Sequence, residues 1–447
     1  MTRTYYKIRS VRWVKVTLAL SLILFSSLLT TGCYDRMELE QQAFVVALGI
    51  DQAPNNMVDC SFLIALPISP SGGGQSGTEP KAASGPITFR ARSLVEAMQM
   101  ANSSVERSLN LSHLGLVVFG ADVAKAGLSA QLYPMVRFRE FRRTMLLAVS
   151  QGSAKDILSQ NKPVLDRSTS RWADDIIEIG RRSGVVPVVT LHDYLRSREE
   201  NLANPLLPLC AVNQSVQSSQ SRGGASASGS SGGSSSSGVS GASGSSGTSE
   251  GIGGAAPGNA GTVARAGGNP VEWAGATVFR DDKMIDQLTG RQVMDVTLLQ
   301  GRLAQARFTF SDPTSPARTV TLRMKRAGSP RYDIQLGRQP IVRVDLPLEA
   351  DLISTQASVN YANQSSQMKL EQRIEQRLST ELSGVLKHLC QDDGVDVIPI
   401  SDYIRGRFAT DAALQNYPWA TQLRRSQISV EAQVQVRRFG ISNPMQS

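Results

Sequence analysis

Between Ser215 and Gly268 the chain stops offering side chains from which a core could be built. This stretch of 54 residues is mostly Ser, Gly and Ala, with almost no large apolar residues. Such a segment buries too little apolar area to offset the entropy of ordering it. It is therefore expected to be a disordered linker, with a root-mean-square reach of roughly 40 Å if it behaves as Gly/Ser coil. The tract divides the chain. Residues 33–214 and 269–447 lie on either side of it, each long enough for its own core, and residues 1–32 precede both. Two catalytic-looking strings inside the tract carry no weight. Gly229-Ser230-Ser231-Gly232-Gly233 fits the GxSxG pattern, but a nucleophile elbow needs a strand before it and a helix after it. Gly251-Ile252-Gly253-Gly254-Ala255-Ala256 loosely fits a dinucleotide fingerprint and fails for the same reason.

The first 32 residues read as a secretory leader. Arg3, Lys7, Arg9, Arg12 and Lys15 precede an apolar run from Val16 to Leu29, with no Asp or Glu among them. About 14 apolar residues are short of the roughly 20 that span a bilayer as a helix. The run ends in Leu29-Thr30-Thr31-Gly32-Cys33, similar to a bacterial lipobox, in which a cysteine is acylated and becomes the new N-terminus. Thr30 departs from the usual Leu three places before the cysteine. Lipidation at Cys33 would give two acyl chains, and at about 0.8 kcal/mol per buried CH₂ two chains anchor stably where one is marginal. The competing reading is an uncleaved N-terminal anchor with Cys33 as a bystander. The other cysteines, Cys60, Cys210 and Cys390, lie in apolar surroundings without any CxxC and read as small buried hydrophobes, one disulfide being the minor alternative.

Charge excludes a nucleic-acid binder. The chain's formal net charge is +9, but five of those charges lie in the leader, leaving +4 on residues 33–447. There is no Arg-rich stripe with interleaved aromatics. In the first half, apolar runs at 43–50, 58–68, 115–119 and 144–150 read as strands, as does the alternating Ile87–Ala91. Helices are expected from Leu94 to Arg107 behind a Ser93 cap, from Ala121 to Arg139 with an interruption at Gly127, and from Ala154 behind Ser153. Strands alternating with helices point to α/β units. The second half is strand-rich, with a turn at Asp281-Asp282-Lys283, a helix from about Ser366 to Leu389, and a final strand of strict alternation, Ile428–Val436. In the helix, Leu370, Ile374, Leu378, Leu382, Val385 and Leu389 form an apolar stripe, and Glu371, Arg373, Glu375 and Arg377 a solvated face. The fold class is α+β and multi-domain, two to three mixed α/β and antiparallel-sheet domains joined by the linker.

Little argues for an enzyme. His113, His192 and His388 are far apart, and none has a neighbour at metal-ligand spacing, so no metal or cofactor is expected. Asp392, Asp393 and Asp396 read as a solvated turn, calcium being the sharper alternative without EF-hand spacing to support it. Arg137, Arg139, Arg142 and Arg143, with Glu140 among them, read as a solvated helix end or a contact for anionic lipid or a partner.

Five segments in order resemble the Ger(x)C family, the C-subunit lipoproteins of spore germinant receptors. CYDRMELEQQAFVVALGID, residues 33–51, has the family's lipidated Cys33, an aromatic at Tyr34 where Trp is usual, Asp35-Arg36, Glu38-Leu39 and a strand ending in Gly49-Ile50-Asp51. LSHLGLVVFGADVAKAGL (111–128), FRRTMLLAVSQGSAKDIL (141–158), GATVFRDDKMIDQLTG (275–290) and QVQVRRFG (433–440) follow. The resemblance implies a non-enzymatic subunit of a nutrient receptor that triggers germination. It implies integral-membrane A and B subunits as partners and a place on the outer face of the cytoplasmic (spore inner) membrane through diacylglyceryl-Cys33. Tyr34, Asp35, Arg36 and Glu38, next to the lipid, are candidate partner contacts. Two other classes remain open: a substrate-binding lipoprotein of a transporter, which favours two doubly wound lobes, and an extracytoplasmic hydrolase, for which no triad can be named.

Overall fold

A computed structural model describes residues 13, 16–23, 38, 41–65, 85–163, 175, 180, 182–199, 202–216, 258–303 and 305–439. They build two domains, each on its own sheet, one of nine strands and one of five. Helices and mixed sheets coexist, the α+β class read from the sequence. Residues 16–23 are helical, and among the described residues no helix is long and apolar enough to cross a membrane.

The first sheet begins with β1 (Gln42–Ala53) and β2 (Met57–Ile64), an antiparallel hairpin turned by Asn55 and Asn56, both at φ 60°. β3 (Ile87–Ala91) lies outside β2, and a short β4 (Ser108–Asn110) runs parallel to the start of β1. β5 (Leu116–Phe119), β6 (Leu146–Ser150) and β7 (Leu206–Val212) continue in parallel from the other side of β1. Each crossover carries helices: α1 (Leu94–Ala101), α2 (Ala121–Ala126), α3 (Ser129–Arg137), α4 (Ala154–Gln160) and α5 (Leu191–Glu199). The central strands are apolar throughout because both faces are covered. Val117, Phe119, Leu147 and Val149 join the core under α1, α3 and α5, while Leu116, Val118, Leu146 and Ala148 meet Ala154, Ile157 and Leu158 of α4.

Three local departures have simple causes. α1 stops at Ala101 and not near Arg107, and the residues beyond it turn back to form β4. The helix expected over 121–139 is two, because Gly127 adopts φ +126° and no side chain but glycine's readily sits there. The expected boundaries of linker and second domain also shift. β8 (Val271–Arg280) and β9 (Lys283–Leu288) extend the first sheet antiparallel from β7, so that sheet runs across position 269. Residues 258–268, assigned by composition to the linker, are packed. Ala260 is buried against Leu209, Ala211 and Ala274, and Glu272 accepts from the backbone of Gly261 (2.7 Å) and from Arg265 Nε (2.8 Å). The linker residues 217–257, with the two glycine-rich strings in them, lie outside the described residues.

The second sheet contains β10 (Gln305–Ser311), β11 (Thr319–Arg326), β12 (Arg331–Gln335), β13 (Ile341–Thr355) and β14 (Gln427–Arg438). β13 is its spine, antiparallel to β11 and β12 on one side and parallel to β14 on the other. α6 (Gly290–Leu299) opens on a Thr289/Gln292 capping box, and α7 (Gln364–Lys387) ends in a π-helical turn, His388–Asp393. Short helices α8 (Ile400–Ile404), α9 (Asp411–Gln415) and α10 (Trp419–Arg425) lead into β14. The stripe Leu370, Ile374, Leu378 and Leu382 is buried on the sheet, in a core that also takes in Leu206, Ala276, Val278 and Leu288 from the first sheet. This half is not a second doubly wound lobe.

Candidate functional site

Parallel strands begin on the same edge of their sheet, and that edge gathers Glu38, His113 and the basic segment Arg137–Arg143 singled out by sequence. The chain enters β1 from Glu38, which is exposed and whose carbonyl accepts from Gln41 N at 3.0 Å. Cys33, Tyr34, Asp35 and Arg36 lie outside the described residues. Immediately beside β1, Asn110 donates to the Gln42 side chain and caps the following turn through Ser112 N (2.8 Å). His113 packs edge-on against the Phe44 ring at 4.8 Å, the structural role its position before a strand suggested.

The loop into β6 reaches the same edge. α3 runs back against the strand direction, and its last turn delivers Tyr133, Val136, Arg137 and Phe138, all exposed, followed by exposed Arg139, Arg142 and Arg143. Phe141 is buried and pins the loop, and the backbone carbonyls of Arg143 and Met145 accept from His192 N and Leu191 N at 2.9 Å. Arg137 lies over the Tyr133 ring at 4.8 Å.

At the opposite end of β1, the Gly49-Ile50-Asp51 motif acquires a physical reason. Asp51 accepts from Ala154 N (2.7 Å), Lys155 N (2.9 Å) and Ser153 Oγ (3.0 Å), capping α4 from across the sheet. Gly120 closes over that carboxylate; a Cβ there would sit 2.3 Å from Asp51 Oδ1.

The acidic turn after α7 is not simply solvated. Asp396 is buried and accepts from Ile400 N (2.8 Å), Ser401 N (2.7 Å) and Trp419 Nε1 (3.0 Å), while its own N–H donates to Asn204 Oδ1 at 2.9 Å. Burial pushes its carboxyl up, and the donors oppose that. Asp286 of β9, His388 and Asp393 each bring one ligand-type atom within 4.8 Å of the others, a juxtaposition sequence spacing concealed because Asp286 and His388 are 102 residues apart. His388 Nε2 is 2.9 Å from Asp286 Oδ2, and Nδ1 is 3.3 Å from Asp392 Oδ2. Burial alone would lower the imidazole, but these carboxylate bonds raise it. Arg280 and Arg424 already bring positive charge here, donating to the carbonyl of Asp393, Arg424 at 2.7 Å. The arrangement works as a hydrogen-bonded junction between the two domains.

A cleft of about 650 Å³ also opens at the domain junction, where Val186, Asp193 and Arg196 face Arg302, Leu303 and Asp402. Sequence reasoning gave no sign of it, since its walls come from distant segments.

Comparison with known proteins assigns both halves. The family description "Spore germination protein N-terminal domain" matches residues 35–212, and "Spore germination B3/GerAC like, C-terminal" matches residues 274–440. The chain is 26% identical over 200 residues to spore germination protein KC of Bacillus subtilis (strain 168), covering 44% of this chain and 49% of that protein. It is 22% identical over 172 residues to spore germination protein B3 of the same organism, covering 38% and 44%. The matched region thus spans about half the length of these curated relatives. A solved structure titled "Crystal Structure of the GerBC protein" aligns over 90% of this chain and 99% of that one at 13% identity, with a TM-score of 0.49.

Proposed function

The chain belongs to the GerAC-like family of spore germination proteins, and on that premise we propose that it is a lipid-anchored, non-enzymatic subunit of a nutrient germinant receptor. The observation that carries this reading is that two family regions, one on each side of the Ser/Gly tract, occur in order and together take in most of residues 35–440. Acyl chains on Cys33 hold the protein on the outer face of the cytoplasmic membrane, which in the spore is the inner membrane. Its partners there are integral-membrane A and B subunits. Tyr34, Asp35, Arg36 and Glu38 are the contacts nearest the lipid. The protein contributes assembly and not chemistry, so its loss of function takes the form of a receptor that fails to form.

Fatty-acid-analogue labelling tests the anchor. Cys33→Ala should abolish incorporation, leave the leader uncleaved and eliminate nutrient germination, while the purified domain keeps its melting temperature. Equal labelling of the variant and the unaltered protein would refute the anchor.

A further inference from the structure

From the common edge of the parallel strands we infer that the surface formed by Tyr133, Val136, Phe138 and the arginines 137, 139, 142 and 143 lies on the anionic phospholipid headgroups of the membrane. The inference rests on the proposed anchor at Cys33 and adds an orientation to it. β1, β5 and β6 are parallel, with Ala47 level with Leu116 and Leu116 level with Leu146. The chain arriving from position 33 and the loop arriving at β6 therefore meet the sheet at the same edge. Gln41 is eight positions after Cys33, and at no more than about 3.6 Å per step that spacing keeps the edge within roughly 29 Å of the acyl chains.

The chemistry of the surface fits lipid headgroups. Tyr133 is 60% exposed, Phe138 42% and Val136 39%, exposures large for aromatic and β-branched side chains at the end of a helix whose Leu132 and Met135 are buried. Rings at headgroup depth with arginines around them are the usual composition of an interfacial contact. Residues 133–143 contain four arginines and one acid, Glu140. None of the four guanidiniums pairs with a carboxylate among the described residues. Among the described residues, the other charged groups near this edge include Glu38, Glu106, Arg107 and Asp193, and Asp193 is occupied capping Thr190 (N to Oδ2, 3.0 Å). The arginine cluster is thus the dominant local charge, and basic residues near an anionic surface are each worth about a factor of five in binding.

The test uses the full mature chain with its lipid. A polarity-sensitive fluorophore is placed at Val136→Cys, or at Gln52→Cys on the opposite edge as reference; Cys60, Cys210 and Cys390 are buried and do not compete for label. On phosphatidylcholine vesicles containing phosphatidylglycerol, the label at 136 should shift to the blue, and on phosphatidylcholine alone it should not. The label at 52 should report water in both. Arg139→Glu with Arg142→Glu should remove the shift at 136 while flotation and melting temperature stay as they were. The unlipidated Cys33→Ser chain should bind phosphatidylglycerol vesicles more than about tenfold better than its Arg139→Glu, Arg142→Glu counterpart, by the same factor per charge. A label at 136 that stays in water on anionic vesicles, or shifts equally on both, overturns the inference. A shift seen only in membranes containing integral proteins also overturns it and makes the surface a protein contact. Failure of the lipidated chain to float on neutral vesicles refutes the anchor instead, and the Cys33→Ser comparison then decides the surface by itself.

Discussion

Asp295 of α6 is a carboxylate buried without a hydrogen bond to its Oδ1, 3.6 Å from Arg291 Nε. Arg291 is drawn elsewhere, to Glu381 at 2.5 Å and over the Phe308 ring at 4.5 Å. Burial pushes the Asp295 carboxyl from 3.8 to about 7, with Arg291 opposing and Glu381 assisting. A raised carboxylate loses stability with rising pH. Between pH 4 and pH 7, roughly, the unfolded chain releases a proton that the folded chain keeps, so folding weakens across that window. One pKa unit is about 1.4 kcal/mol, so the cost at pH 8 amounts to a few kcal/mol. Asp295→Asn should raise the melting temperature at pH 8 and flatten its fall between pH 4 and pH 7. A variant that melts lower at pH 8 would mean that the Arg291 pairing outweighs desolvation.

At the scale of elements, β14 and α7 form a unit that neither sequence pattern reveals alone. β14 has β13 on one side only, and an edge strand leaves alternate N–H groups unpaired. Those of Val430, Ala432, Val434 and Val436 donate to Ser383 Oγ (3.0 Å), Ser379 Oγ (2.9 Å), Glu375 Oε1 (2.9 Å) and Glu371 Oε1 (2.7 Å). Four helical residues rise about 6.0 Å and two strand residues about 6.6 Å, so teeth at every fourth helix position meet every second strand amide. Glu371 and Glu375 are thus not on a solvated face, as their neighbours Arg373 and Arg377 suggested; they close the sheet. Removing one acceptor strands a partly buried donor, at about 1–3 kcal/mol. Glu375→Ala should therefore lower the urea midpoint clearly, and Glu375→Ala with Ser379→Ala should lower it further. Arg373→Ala, exposed two residues away on the other side of the helix, should change stability by less than about 0.5 kcal/mol. Equal effects at 373 and 375 would contradict the interlock.

For the whole molecule, the consequence concerns where the Ser/Gly tract can be cut. Loop-closure entropy changes slowly with length, so deleting residues 217–257 should cost or gain no more than about 1–2 kcal/mol and preserve cooperative unfolding. Extending the deletion through residue 265 removes Gly261 and Arg265, two donors to Glu272, which is 7% exposed and keeps only Asn213 of the three. That longer deletion leaves a buried carboxylate without its cationic partner Arg265 and should cost about 3 kcal/mol or more. Thermal melts of the two deletions compare them directly; a cooperative transition of unchanged midpoint in the longer one would refute the role of 258–265.

What the sequence alone determined is what local periodicity and composition encode. The stripe from Leu370 to Leu382, the alternation of Ile428–Val436 and the apolar strands of the first sheet were legible because each is decided by which face a short segment buries. The ordered family segments were legible for a related reason: each is a contiguous string. Only the tertiary structure decided the uses of single polar groups. Asp51 caps a helix starting a hundred residues later, Asp396 holds Trp419 and Asn204, and Asp286 meets His388 from another domain. It also decided that β8 and β9, beyond the Ser/Gly tract, complete the sheet begun before it. Hydrogen-bond partners and strand neighbours are chosen by proximity in space, and proximity between distant segments leaves no period in the chain.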